Sequence, residues 1–328
     1  MDLLQFGPGD APAVRDCVSV RNAVRKHDAT WQHHLTETDV VGNLSYGWDL
    51  EPDTAFLVVV DGEVVGYAAH SVSEHDNLHL AWLTVEIHPD HRRRGHATGV
   101  LVALVQRVRD LGRTSIGISG WDLDVTRAFA ERRGFELGSV AVNRRQFLAE
   151  VDWADVERRR AEALGHAADY ELIRRTDRTP EDELEALAEM TSAINDAPTD
   201  DLDIEDEVFS AQRIRDYETA QLAREGAFHR IYARHRGTGE LAGQTVVAVE
   251  PDRPHLAEQH DTSVVRAHRG HRLGLLLKAE MMLWLRETQP QLESVDTWNA
   301  ESNDFMIGVN EALGYRIMGR QLEFQKTV

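Results

Sequence analysis

The chain has 328 residues, 42% hydrophobic and 28% charged, with a formal net charge of -20 at pH 7. That is the composition of a folded globular protein, with length for about two domains. The acidity argues against nucleic-acid binding and favours cationic partners such as amines. No apolar run approaches the roughly 18–20 residues of a membrane span. The N-terminal MDLLQFGPGDAPAVRD lacks the basic and apolar regions of a secretory signal. The lone Cys17 excludes an intrachain disulfide and a multi-cysteine zinc site, and is read as a helix-face packing residue. The expectation is a cytoplasmic protein with no metal and no membrane partner.

In chain order, the pattern predicts a strand at Leu3–Phe6, a helix over Ala11–Arg25 and a second helix over Thr36–Tyr46. A hairpin follows, Thr54–Val60 and Glu63–Ala69 about the turn Asp61-Gly62. A long strand, Leu78–His88, leads into a basic loop. A helix then runs from Ala97 to Leu111, with Val100, Leu101, Leu104, Val105 and Val108 at helical spacing. A strand (Ser115–Ser119), a helix (Asp124–Arg133) and strands through Phe135–Val151 complete residues 1–151 as a first domain. The charged segment 152–168 reads as a helical connector, and 169–328 as a second domain.

The second domain repeats the order. Strand Tyr170–Arg175 precedes helix Pro180–Ile194, and the acidic stretch Asp200–Glu207 reads as a solvated loop before helix Val208–Glu225. Strands Phe228–Arg234 and Leu241–Val249 flank a turn. Strand Leu256–Val265 then enters a second basic loop, followed by helix Leu273–Arg286, strand Ser294–Trp298, helix Asn303–Leu313 and closing strands. The same order read twice indicates a duplicated α/β fold, each half a mixed, mostly antiparallel sheet flanked by helices.

Both basic loops have the make-up of a phosphate cradle. Glycine lets the backbone approach an anion, a helix N-terminus supplies unpaired amides and a positive dipole end, and arginine adds charge-assisted donors. The first loop is Arg92-Arg93-Arg94-Gly95-His96-Ala97; the second is Arg269-Gly270-His271-Arg272-Leu273-Gly274. Neither has the spacing of a nucleotide triphosphatase P-loop, and neither opens a βαβ dinucleotide unit.

The arrangement resembles the tandem GCN5-related N-acetyltransferase (GNAT) family, whose hallmark Arg/Gln-x-x-Gly-x-Gly/Ala follows the fourth strand. The first loop matches in full; in the second, Arg272 stands where the first glycine belongs. The resemblance extends to the pairs Gly134-Phe135 and Gly314-Tyr315 downstream, so it covers nearly the whole chain. It implies acetyl-CoA as cosubstrate, its pyrophosphate held by Arg92, Arg93, Arg94, Gly95, His96, Ala97 and Thr98 in the first half. In the second half Arg269, Gly270, Arg272 and Gly274 would hold it. It further implies that the fourth and fifth strands splay, exposing the main chain of Val85 and Ile87, and of Val264 and Val265, to the pantetheine arm.

The family's usual tyrosine acid is missing: its positions hold Ala130 and Asn310. For the base that deprotonates the amine, some family members use a glutamate eleven residues before the loop's first Arg/Gln; the resemblance puts Glu258 there in the second half and Ala81 in the first, with Asp261 and Glu86 as further candidates and His260 read as structural. Asn303, eleven residues before Gly314, is either a cofactor contact or a helix cap. Trp31, His33 and His34 lie among the substrate-facing helices and are read as packing residues. The resemblance implies an N-acetyltransferase acting by direct attack on the amine of a small molecule or peptide, compatible with a homodimer. The first half would hold the cofactor. A degenerate CoA-binding sensor or scaffold, or an N-acyltransferase using a longer acyl-CoA, are the alternatives.

Overall fold

A computed structural model describes residues Met1 to Val328. The chain forms two compact units. The first unit begins with strand β1 (Asp2–Phe6), helices α1 (Ala11–Asp28) and α2 (Glu37–Tyr46), hairpin β2 (Thr54–Val60) and β3 (Glu63–Ser71), and β4 (Leu80–Ile87). Helix α3 (His96–Asp110), β5 (Ser115–Trp121) and α4 (Asp124–Arg132) follow. Helix α2 starts at a reciprocal capping box between Thr36 and Asp39.

One strand departs from the halves read in the sequence. The segment expected to close the first domain is a single long strand, β6 (Glu136–Phe147), and residues from Val142 onward belong to the second unit. The chain's last strand, β12 (Arg316–Thr327), returns the exchange: Gly319–Val328 belong to the first unit, where β12 pairs antiparallel with β5. Leu322 and Phe324 are buried there, in one core with Leu83, Leu104 and Ile118. The first unit's strand order is therefore β1-β2-β3-β4-β5-β12.

The second unit adds α5 (Trp153–His166), β7 (Tyr170–Arg175), α6 (Leu184–Thr191) and α7 (Ala211–Arg224). Strands β8 (Ala227–His235), β9 (Leu241–Val249) and β10 (Leu256–Val264) follow, then α8 (Leu273–Thr288), β11 (Ser294–Ala300) and α9 (Asp304–Ala312). Its strand order is β6-β11-β10-β9-β8-β7. The expected connector is α5, an integral helix: Val156 and Ala163 are buried, and Arg160 and Arg174 both pair with Glu280 of α8. The acidic stretch is not a free loop. Thr199–Asp206 belong to the first unit, where Asp200 accepts from Ser139, Glu205 N–H donates to Asn77 and Leu202 packs on Gly138.

In each unit the sheet has a helix on either face. In the first, α3 covers Ala81, Leu83 and Ile87, while Val14 and Cys17 of α1 cover Leu57, Tyr67 and Ala69. In the second, Leu276, Leu277, Met281 and Leu285 of α8 cover Val247, Ala257 and Val295. Leu184, Leu187 and Ile214 of α6 and α7 cover the opposite face with Tyr232 and Leu241.

Candidate active site

The parallel pair at the centre of each unit is short. β4 and β5 pair from Leu80–Ser115 to Leu83–Ile118, and β10 and β11 from Leu256–Ser294 to Gln259–Thr297. Beyond those points β4, β5, β10 and β11 all continue, unpaired with one another, so each unit has the expected splay. Backbone polar groups alternate sides along a strand. The His88 amide donates to Val65 on β3, so Val85 and Ile87, which lie out of step with it, turn their amides to the open side. In the second unit the Val265 amide donates to Ala242 on β9, leaving Val264 and Thr262 to face the gap. Val265 is thus spent within the sheet, and Thr262 takes the position expected of it.

The two loops share one backbone path. In the first, Arg93 (φ 63°) and Gly95 (φ 88°) are left-handed; in the second, Gly270 (φ 88°) and Arg272 (φ 57°) are. Each loop therefore has glycine at one left-handed position and arginine at the other, in opposite order. A left-handed arginine costs about 1–2 kcal/mol relative to glycine. Space is open where a Cβ would stand on Gly95 or Gly270. The first helical amides, His96 and Ala97, and Leu273 and Gly274, have no intrahelical acceptor. Thr98 instead closes the first turn through the Gly95 carbonyl, its hydroxyl accepting from Arg133.

The leading arginines brace the loops. Arg92 donates from Nε to the Ile87 carbonyl at 2.9 Å and from Nη1 and Nη2 to Asp28 at 2.8 and 2.7 Å. Arg269 repeats this with the Val264 carbonyl at 3.1 Å and Asp196 at 2.6 Å. Arg94 caps the Asp90 carbonyl. Backbone amides, not the Arg92 guanidinium, are what the first cradle offers an anion.

The faces opposite α3 and α8 differ sharply. In β10 the pairing with β9 slips between Gln259 and Thr262, a bulge carrying one extra residue. Counting from the loop therefore misplaces everything upstream by one position. Gln259 and Leu83 are the last residues paired to β11 and β5, so the counterpart of Glu258 is Trp82, not Ala81. Trp82 lies against Gly117, where any Cβ would strike the indole. Trp31 stacks edge-on against Trp121 with centroids 5.0 Å apart and packs on Gly319. Glu86 is held by Arg21, Nε–Oε2 3.1 Å and Nη2–Oε1 3.3 Å, and Arg21 lies over the Tyr67 ring. Burial beside them pushes the Cys17 thiol up to about 11, which makes it unreactive.

In the second unit the same face is polar. Glu258 sits in register beside Asp296 of β11, and Arg145 grips Asp296 at 2.6 and 2.8 Å. Glu258 is exposed, yet the protein packed around it desolvates the carboxyl. That desolvation, with the nearby carboxylates of Asp296 and Glu250 and against Arg224, pushes its pKa up to about 7. At the bulge, His260 shares a 2.7 Å hydrogen bond with Tyr217 of α7, and Asp261 lies close enough to raise the Tyr217 pKa. Burial, with Arg224 and Arg230 adding, lowers His260 to about 3, so it is neutral and structural. Burial raises Asp261 against the pull of Arg230.

Asn303 caps α9, its Oδ1 accepting from the Met306 amide at 3.2 Å. Asn310, at the position expected to lack an acid, lies on α9, and two polar groups given no role from the sequence, Asn299 and the buried Lys278, lie on β11 and α8. The signal for Lys278 was a charged residue set among leucines and methionines, with Glu280 two residues on. Asp49, Glu51 and His75 bring possible ligand atoms within 4.8 Å of one another; Glu51 already accepts from the Glu74 amide. No helix is long and apolar enough to cross a membrane.

Residues 22–135 match the family model described as Acetyltransferase (GNAT) family. No curated protein matches the chain. Among solved structures, a tandem GNAT protein from the clavulanic acid biosynthesis pathway aligns over 99% of this chain and 98% of its own, at 24% identity and TM-score 0.80. A GCN5-related N-acetyltransferase from Sphaerobacter thermophilus aligns over 99% and 95%, at 16% identity and TM-score 0.69. These likenesses are of fold.

Proposed function

Because residues 22–135 carry a GNAT-family domain and the whole chain has the tandem GNAT fold, we propose that this acyltransferase moves acetyl from acetyl-CoA to a primary amine, with the chemistry in the second unit. The amine belongs to a small molecule or peptide. The observation that carries the assignment is Glu258, a carboxyl without a cationic clamp beside the point where β10 and β11 part. A base with a pKa near the working pH suits removal of the amine proton. The corresponding place in the first unit is filled by Trp82, and its nearby carboxylate, Glu86, is committed to Arg21.

The loop amides and helix dipole fit a pyrophosphate, and the open strand edges at Val85 and Thr262 fit the amides of a pantetheine arm. On this reading the first unit holds acetyl-CoA without turning it over, and its indole-lined face shapes binding. The acidic group of Glu258, Asp296 and Glu250 suits a cationic acceptor.

The test is acetyl-CoA turnover against an amine panel. Gly270→Asp places a carboxylate and a strained residue in the second cradle, and turnover should fall at least a hundredfold. Undiminished turnover in a folded Gly270→Asp protein would move the chemistry out of the second unit. Absence of turnover by the native chain with every amine, despite CoA binding, would favour the sensor alternative.

A further inference from the structure

Helix α8 buries a lysine that the fold does not require. Lys278 is 2% exposed and has no carboxylate partner; its Nζ donates to Asn310 Oδ1 at 2.7 Å and lies 4.7 Å from the centre of the Tyr315 ring. Asn310, fully buried in α9, donates in turn from Nδ2 to Asn299 Oδ1 at 2.7 Å. The first unit shows the same helix pair built without any of this. There Leu101 and Ala130 occupy the matching positions in the hydrophobic core, and Gly120 stands in place of Asn299. Burying an ammonium among apolar side chains is costly unless something answers its charge, and burial accordingly lowers the Lys278 pKa to about 7; the amine donates to Asn310 with or without its extra proton.

The far end of this line of hydrogen bonds is placed at the edge of the site. Asn299 lies on β11 two residues past Thr297, the last residue paired to β10, so it borders the splay. Its strand neighbours Val295 and Thr297 are buried toward α8, the helix that opens on the second phosphate loop. Lys278 itself is five residues into that helix, about 7.5 Å along its axis at 1.5 Å per residue. One hydrogen-bonded line thus runs from a buried lysine to the wall of the gap.

We propose that Lys278 is a positioning residue which, through Asn310 and Asn299, fixes an amide donor at the gap in the second unit and so stabilises the thiolate leaving group of acetyl transfer there. This rests on the acetyltransferase reading above. In the step, the amine nitrogen bonds to the thioester carbon and its proton passes to the Glu258 carboxylate. The carbon–sulfur bond breaks with its electron pair on sulfur, and the thiolate later takes a proton from water. The oriented amide donor of Asn299 lies ready before the charge appears, so no reorganisation is needed as it develops. This arrangement supplies by an oriented donor what the missing tyrosine would supply as a proton.

The experiment titrates the thiol of CoA bound to the full chain, following thiolate absorbance in the ultraviolet. A Gly95→Asp background restricts binding to the second unit. Bound CoA should ionise at least one pH unit below free CoA, a tenfold shift in the ionisation equilibrium, and Lys278→Met should abolish that shift while CoA affinity stays within about threefold. Asn299→Ala cuts the line at its half-buried end, leaves the α8 core intact and should have the same effect, which decides the matter if Lys278→Met fails to fold. CoA bound with the same thiol ionisation in native and variant chains would overturn the role of Lys278 and leave the acetyltransferase reading standing. Absence of CoA binding in the second unit would overturn both.

Discussion

Three side chains carry the asymmetry between the units. Glu258 and Trp82 occupy equivalent places, a carboxyl in the second unit and an indole in the first. Arg272 occupies a left-handed position that Gly95 fills in the first loop. Arg272→Gly should stabilise the chain by about 1 kcal/mol, read from the urea midpoint, yet weaken CoA binding if the guanidinium meets phosphate. Lys278 has a pH signature of its own. Burial lowers its pKa from 10.5 to about 7. Between those values the unfolded chain binds a proton that the folded chain does not, so native stability rises with pH across that window. Denaturant unfolding at pH 7 and pH 9.5 should show this rise in the native chain and a smaller one in Lys278→Met.

At the scale of elements, the helices and central strands were legible because hydrophobic period and turn chemistry agree there. Asp61-Gly62 marks the β2–β3 turn, and both residues take positive φ. The segment 180–194 was less so. It breaks into short 3₁₀ turns around α6, with Thr191 and Ser192 hydroxyls turned back on the Leu187 and Ala188 carbonyls. The β10 bulge was invisible to counting, since one extra residue leaves the flanking patterns intact while sliding Glu258 past its supposed partner. The loops themselves were readable from glycine and arginine, but the engagement of Arg92 by Asp28 joins residues distant in sequence. The sequence could place Asn303 on a helix start without choosing its role; the Met306 amide makes it a cap.

For the whole molecule, the exchange of strands means that neither half of the sequence contains all of its own unit. Ending the chain after Met318 would strip β5 of its antiparallel partner and remove Leu322 and Phe324 from the first core. At about 1.5–3 kcal/mol for each buried side chain, that is a large part of a domain's usual 5–15 kcal/mol. Hydrogen exchange should show loss of protection in β4 and β5; protection retained there would contradict the exchange. The duplication also supplies an internal control, since one fold is present with a polar face and with an indole-lined one. The central claim is that Glu258 in the second unit removes the amine proton. The measurement that tests it most directly is kcat/KM for acetyl transfer as a function of pH, in the native chain and in Glu258→Gln. Activity should rise with pH through an apparent pKa near 7, as the carboxyl ionises, and Glu258→Gln should lower the plateau by about 10²–10⁴-fold and erase that limb. A Glu258→Gln protein that keeps both the rate and the limb would contradict the account.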